Sequence, residues 1–114
     1  MEAVKVIEII GSKSAVSPRT GLKAYDFVAS ELPKGNPILI SFEGVEDLTS
    51  AFCNSFIGKL YMNFEPSILD SQLSLIGIDQ SHIWYKKLKN AILLGTNENA
   101  RTLHKVNLEE VIFS

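Results

Sequence analysis

Residues 38–56 read Ile38-Leu39-Ile40-Ser41-Phe42-Glu43-Gly44-Val45-Glu46-Asp47-Leu48-Thr49-Ser50-Ala51-Phe52-Cys53-Asn54-Ser55-Phe56, and this stretch sets the expected architecture. The run Ile38 to Phe42 is too short for a helix and apolar along its centre, the pattern of a strand covered on both faces. Gly44 ends it. After an acidic loop, Thr49 or Ser50 can cap a helix whose apolar positions Phe52, Cys53, Phe56, Ile57, Leu60, Tyr61 and Phe64 recur at helical spacing before Pro66.

The same unit is legible on either side. Upstream, Val4, Val6, Ile7, Ile9 and Ile10 predict a strand ending at Gly11. Ser17-Pro18 then opens a helix, because Ser caps and Pro fits the first helical position, where its missing N–H costs nothing. That helix runs to about Leu32 with Leu22, Tyr25, Val28, Ala29 and Leu32 as its apolar stripe, and Pro33, Gly35 and Pro37 stop it. Downstream, Leu73, Leu75, Ile76 and Ile78 predict a third strand. Asp79 is placed to cap a third helix carrying Trp84, Leu88, Ala91 and Ile92, with Gly95 beyond its end. Thr96 to Ala100 reads as a turn, and the apolar residues of 96–114 do not choose between helix and strand. Strand and helix alternating three times imply an α/β fold, β-α-β-α-β-α, with a mainly parallel sheet and helices packed against it.

Composition sets the bounds. The 114 residues are 46% hydrophobic and 21% charged, which suits one ordinary domain spanning 1–114. At this length roughly two-thirds of the unfolded chain's surface can be buried. No apolar stretch approaches the roughly 20 residues needed to cross a bilayer, and no signal-peptide core precedes the first strand, so no membrane association and a cytoplasmic location are expected. A single cysteine makes no internal disulfide and fits a reducing compartment. Eleven basic against 13 acidic residues give a net charge of −2, not the basic excess of a nucleic-acid binder. The charge is uneven, however. Glu43, Glu46, Asp47, Glu65 and Asp70 face Lys59 alone across 42–70, while Lys86, Lys87, Lys89, Arg101 and Lys105 face only Glu98 across 82–105.

Three blocks, covering most of residues 4–95, resemble the STAS-like domain family, relatives of the sulphate-transporter and anti-sigma-factor-antagonist domain. The first is Val6-Ile7-Glu8-Ile9-Ile10-Gly11 with the later Arg19-Thr20-Gly21-Leu22. The second is Ile38 to Val45 leading to Leu48-Thr49-Ser50-Ala51-Phe52, where an antagonist has its strand, Gly-Val turn and phosphorylated serine. The third is Leu73-Ser74-Leu75-Ile76-Gly77-Ile78 followed by a helix. The chain departs from the antagonists at Ser41 and Thr49, where they usually carry acidic residues, and at Ala51-Phe52, where they have Ser-Gly. The resemblance implies a non-enzymatic regulatory domain that needs no cofactor and binds another protein, commonly a histidine-kinase-like ATPase acting as a serine kinase.

Residue chemistry supplies the candidate sites. Ser50 follows an acidic loop at a helix start, where free backbone N–H groups and the helix dipole favour a phosphate. Phosphorylation would add about −1.5 to −2 charge beside Glu43, Glu46 and Asp47. A plain N-cap is the competing role. On the same helix Ala51, Asn54, Ser55, Gly58 and Met62 lie opposite the apolar stripe and make a small-residue track. A partner helix, a second copy in a homodimer, or another helix of this chain could fill it. With Glu46, Asp47 and Thr49, the track completes the expected partner-binding surface. A rival reading places an anionic ligand on Lys13 and Arg19, because the loops after the first two strands share the carboxyl edge of a parallel sheet. Gly11-Ser12-Lys13-Ser14 is not a phosphate-binding loop, since that pattern needs Gly before Lys. Cys53 reads as core. His82 and His104 lack further ligands at metal spacing, so no metal site is expected. Catalytic patterns such as Gly-x-Ser-x-Gly are absent from the sequence.

Overall fold

The computed structural model describes residues 3–79 and 82–113, with side chains to residue 99. Among them, the strands β1 (Val4–Lys5), β3 (Ile38–Ser41) and β5 (Leu73–Ile76) form a parallel sheet in the order β1-β3-β5. Val4 pairs with Ile40, and Ile38 to Ser41 pair in register with Leu73 to Ile76. The expected parallel α/β architecture is therefore present.

The first strand is shorter than its β-branched run suggests. After Lys5 the chain turns into helix α1 (Val6–Ile10). Val6 and Ile10, one helical turn apart, are both buried while Glu8 is exposed, so helical burial overrides β propensity. Gly11 closes this helix at φ 72° and gives its N–H to the Ile7 carbonyl at 3.0 Å, a left-handed cap that glycine adopts without steric cost. The chain then forms β2 (Ser14–Ala15), which pairs in parallel with β4 (Asp47–Leu48). Neither short strand was expected, because two residues carry no readable periodicity.

Helix α2 (Pro18–Glu31) starts where expected, with the Ser17 hydroxyl accepting from the Thr20 N–H at 3.2 Å. Its buried line is Gly21, Ala24 and Val28, continued by Leu32 in a 3-10 turn (Leu32–Lys34), and Leu22 is 39% exposed. The second helix is continuous but irregular. It comprises α3 (Ser50–Cys53), a π-helical stretch (Asn54–Gly58) and α4 (Lys59–Asn63). Helix α5 (Pro66–Gln72) follows, Pro66 serving as a first helical residue instead of only a stop.

Strand β5 ends at Ile76, short of Ile78, because Gly77 turns the chain at φ 88°. Helix α6 (Ile83–Phe113) then runs through Gly95 and through the expected turn at Thr96 to Ala100. At its start the His82 imidazole Nδ1 accepts from the Trp84 N–H at 3.1 Å. Gly95 is a packing residue and not a terminator, since a Cβ there would collide with the Gly58 carbonyl. The role of His104 falls outside the described side chains.

The Ser50–Asn63 helix lies between α2 and α6, and glycines permit both close approaches. A Cβ on Gly21 would sit 2.7 Å from the Phe52 carbonyl, and one on Gly58 would sit 3.2 Å from the Ala91 carbonyl. Phe42, Phe52, Phe56, Ile57, Leu60 and Leu69 fill the interior, with the Phe52 and Phe56 rings edge to face at 5.9 Å. No helix among the described residues is long and apolar enough to cross a membrane.

Candidate partner-binding rim

The loop after β3 is shaped by its own polar groups. Ser41, buried at 3% exposure, accepts the Glu43 N–H on its hydroxyl at 3.1 Å, and the Val45 N–H returns to the Phe42 carbonyl. Gly44 takes the positive φ of 87° that this turn requires. The Glu46 N–H then donates to the Lys13 carbonyl at 2.9 Å, and the β2–β4 ladder pairs Ser14 with Asp47 and Ala15 with Leu48. The Ser14 hydroxyl donates to Asp47 Oδ2 at 3.1 Å. The turns holding Lys13 and Glu46 therefore emerge on one rim as expected, but the β2–β4 ladder brings them together, since helix α1 separates Lys13 from the end of β1.

Thr49 settles which residue caps the helix. Its Oγ1 accepts from the Phe52 N–H at 3.2 Å and donates to the Val16 carbonyl at 2.8 Å, so one hydroxyl caps α3 and ties it to the segment entering α2. Ser50 is the first residue inside the helix. It is exposed, and its hydroxyl has no hydrogen-bond partner among the described residues. The structural duty that competes with phosphorylation thus belongs to the neighbouring threonine.

Glu46, Asp47, Ala51 and Asn54 are exposed around Ser50, and Ser55 is half-buried. Gly58 is buried beneath α6, so another helix of the same chain occupies that end of the small-residue track. The rest of the track borders a groove of 360 Å³ between α2, the π-helical stretch and α6, where Asn54, Ser55 and Gly58 meet Leu22, Met62 and Leu94. Those three apolar side chains are 39, 40 and 56% exposed and meet in the same groove. Stretches of π-helix recur at functional sites, and this one lies along the expected surface.

Lys13 is exposed on the rim and Arg19 is exposed in the first turn of α2, but neither lines this groove or the 710 Å³ groove between α1 and α2. Sequence reasoning missed Lys87. From α6 its Nζ donates to the Leu48 carbonyl at 2.9 Å, pinning the strand before the cap. In the sequence it was one lysine of a basic run, and only the crossing of α6 over β4 gives it this partner. Burial pushes the Cys53 thiol from 9.0 up to about 12, opposed by the nearby Lys87 charge, which leaves the thiol protonated and unreactive at neutral pH. Tyr61 is likewise raised above the ordinary tyrosine range, first by burial and then by the hydrogen bond it donates to Asp70 at 2.7 Å.

A parallel sheet with helices packed around it, and the Lys13 and Glu46 turns laced into one rim, makes this a mixed α/β fold of the kind a STAS-like domain has. The family model for a STAS-like domain of unknown function (DUF4325) matches residues 24–82, more than half of the chain, and the chain belongs to that family. No curated protein and no solved structure shows significant similarity to it.

Proposed function

We propose that the chain is a non-catalytic regulatory domain that docks another protein through the β4–α3 rim and the adjoining groove, with phosphorylation of Ser50 as the switch. One observation carries this reading: the Ser50 hydroxyl is exposed and unengaged at the head of a helix whose cap is made by Thr49. A phosphate there meets free N–H groups and the positive end of the helix dipole, so it costs the fold little. It adds about −1.5 to −2 charge beside Glu46 and Asp47, which repels an acidic partner face and alters docking without unfolding the domain. The partner class suggested by family resemblance is a histidine-kinase-like ATPase with serine kinase activity, acting in the cytoplasm. The rim is favoured over an anion pocket because Lys13 and Arg19 are exposed and line neither the 360 Å³ nor the 710 Å³ groove.

The test compares wild type, Ser50→Ala and Ser50→Asp as immobilised baits in lysate of the source cells, with retained proteins quantified by mass spectrometry. The expected result is an ATP-binding protein held by wild type and Ser50→Ala and reduced at least about tenfold on Ser50→Asp, equivalent to ~1.4 kcal/mol of docking energy. Equal retention on all three baits discards the switch. Phosphopeptide mapping of the chain purified from the same cells checks Ser50 directly.

A further inference from the structure

Among the described residues the sheet ends at β5, and no strand pairs with its outer edge. The Ile76 carbonyl accepts from the Phe42 N–H at 2.9 Å, and the register pairs Ile40 with Leu75 and Ser41 with Ile76. In a parallel ladder of this phase Ser74 and Ile76 direct their backbone groups to β3, and Leu75 directs its N–H and C=O outward. The first turns of helix α6 face the half-buried Leu75 side of this strand across a cavity of 280 Å³ lined by Leu75, Ile78, Tyr85, Leu88, Lys89 and Ile92. An edge strand flanked by a helix, with an apolar slot between them, is the arrangement that receives an extended peptide by strand addition, main-chain bonds holding it and alternate side chains filling the slot.

We infer that this groove binds an extended segment of another protein, with an apolar side chain in the slot and an acidic residue beside it. Charge complementarity selects this occupant. Lys89 is the charged residue lining the slot; it is exposed, its Nζ lies 5.7 Å from the Tyr85 ring centroid, and exposed Lys86 stands one turn before it. A second copy pairing β5 to β5 about a two-fold axis would bring like-charged lysines together, which disfavours it. The edge strand is short, so the slot and the lysine supply selectivity that two or three main-chain bonds cannot. This inference is independent of Ser50, which lies on the β4–α3 rim.

The probes are two acetylated heptapeptides, one alternating leucine with glutamate and the other alternating leucine with lysine, titrated into the isotopically labelled full chain by NMR. The glutamate peptide is expected to bind saturably below about 1 mM, slow hydrogen exchange of the Leu75 amide and shift the Leu88 and Ile92 resonances. Lys89→Glu, at an exposed position that leaves the fold intact, should weaken that peptide at least about tenfold and favour the lysine peptide instead. Failure of both peptides to saturate overturns the inference, as does equal binding of the two by wild type. Sedimentation showing a dimer whose formation protects Leu75 also overturns it, by giving the edge to a second copy.

Discussion

Thr49 and Ser50 are adjacent hydroxyl residues with opposite duties, and substitution should separate them. Thr49→Ala removes the cap to Phe52 and the tie to Val16, and should cost about 1–2 kcal/mol in denaturant unfolding. Ser50→Ala should stay within about 0.5 kcal/mol of wild type, as exposed positions do. A Ser50→Ala loss equal to that of Thr49→Ala would place the cap on the wrong residue. The sequence admitted both as caps, because the choice depends on which one reaches the Val16 carbonyl of a distant loop. Cys53 gives a second test. Its thiol is held protonated in the folded chain up to about 12, against 9.0 as its ordinary value, so the folded state keeps a proton that the unfolded state releases. Stability is therefore fully present below pH 9 and falls as pH rises from 9 towards 12. Tyr61 adds to the same alkaline decline, and Cys53→Ala should make the decline shallower when unfolding curves are measured across that range.

The central helix and its two neighbours touch through glycine, and these contacts oppose helix propensity. Gly95→Ala would gain about 1 kcal/mol from propensity if the position were exposed. Here the added methyl meets the Gly58 carbonyl, so a net loss of about 1–3 kcal/mol in thermal or denaturant unfolding is expected. Gly21→Ala should behave alike against Phe52 and Ser55. A stabilised Gly95→Ala would refute the close crossing of α6 over the π-helical stretch. The same crossing explains why Gly95, read along the chain as a helix end, is interior to α6. It also means that a bulky residue at Gly58 reports on packing within the chain before it reports on any homodimer.

Across the whole molecule, α6 is fastened at points far apart in sequence. Lys87 holds the Leu48 carbonyl, and Asn99 Nδ2 donates to the Tyr61 and Phe64 carbonyls at 3.1 and 3.2 Å, satisfying the open end of α4. Asn99→Leu should cost about 1–3 kcal/mol because it strands part-buried carbonyls. Lys87→Met should loosen β4, read as faster hydrogen exchange at Thr49 and Phe52, with a smaller effect at Ile40. Uniform exchange changes across the chain would count against a local fastening.

Strong local patterns were enough for the three principal segments around Ile40, Leu75 and Phe56 and for the helix start at Ser17, because short apolar runs and caps act within a few residues. The parallel arrangement also followed from their alternation. Long-range contact set the remainder. Val6 and Ile10 became helical because a buried turn suited the core better than an extended run, and Gly95 stayed helical because Gly58 lay beneath it. Residues expected on one docking face were split, Gly58 going under α6 while Asn54 and Ser55 joined Leu22 and Leu94 in a groove. Such choices depend on which surfaces meet in space, a quantity that neighbouring residues along the chain do not carry.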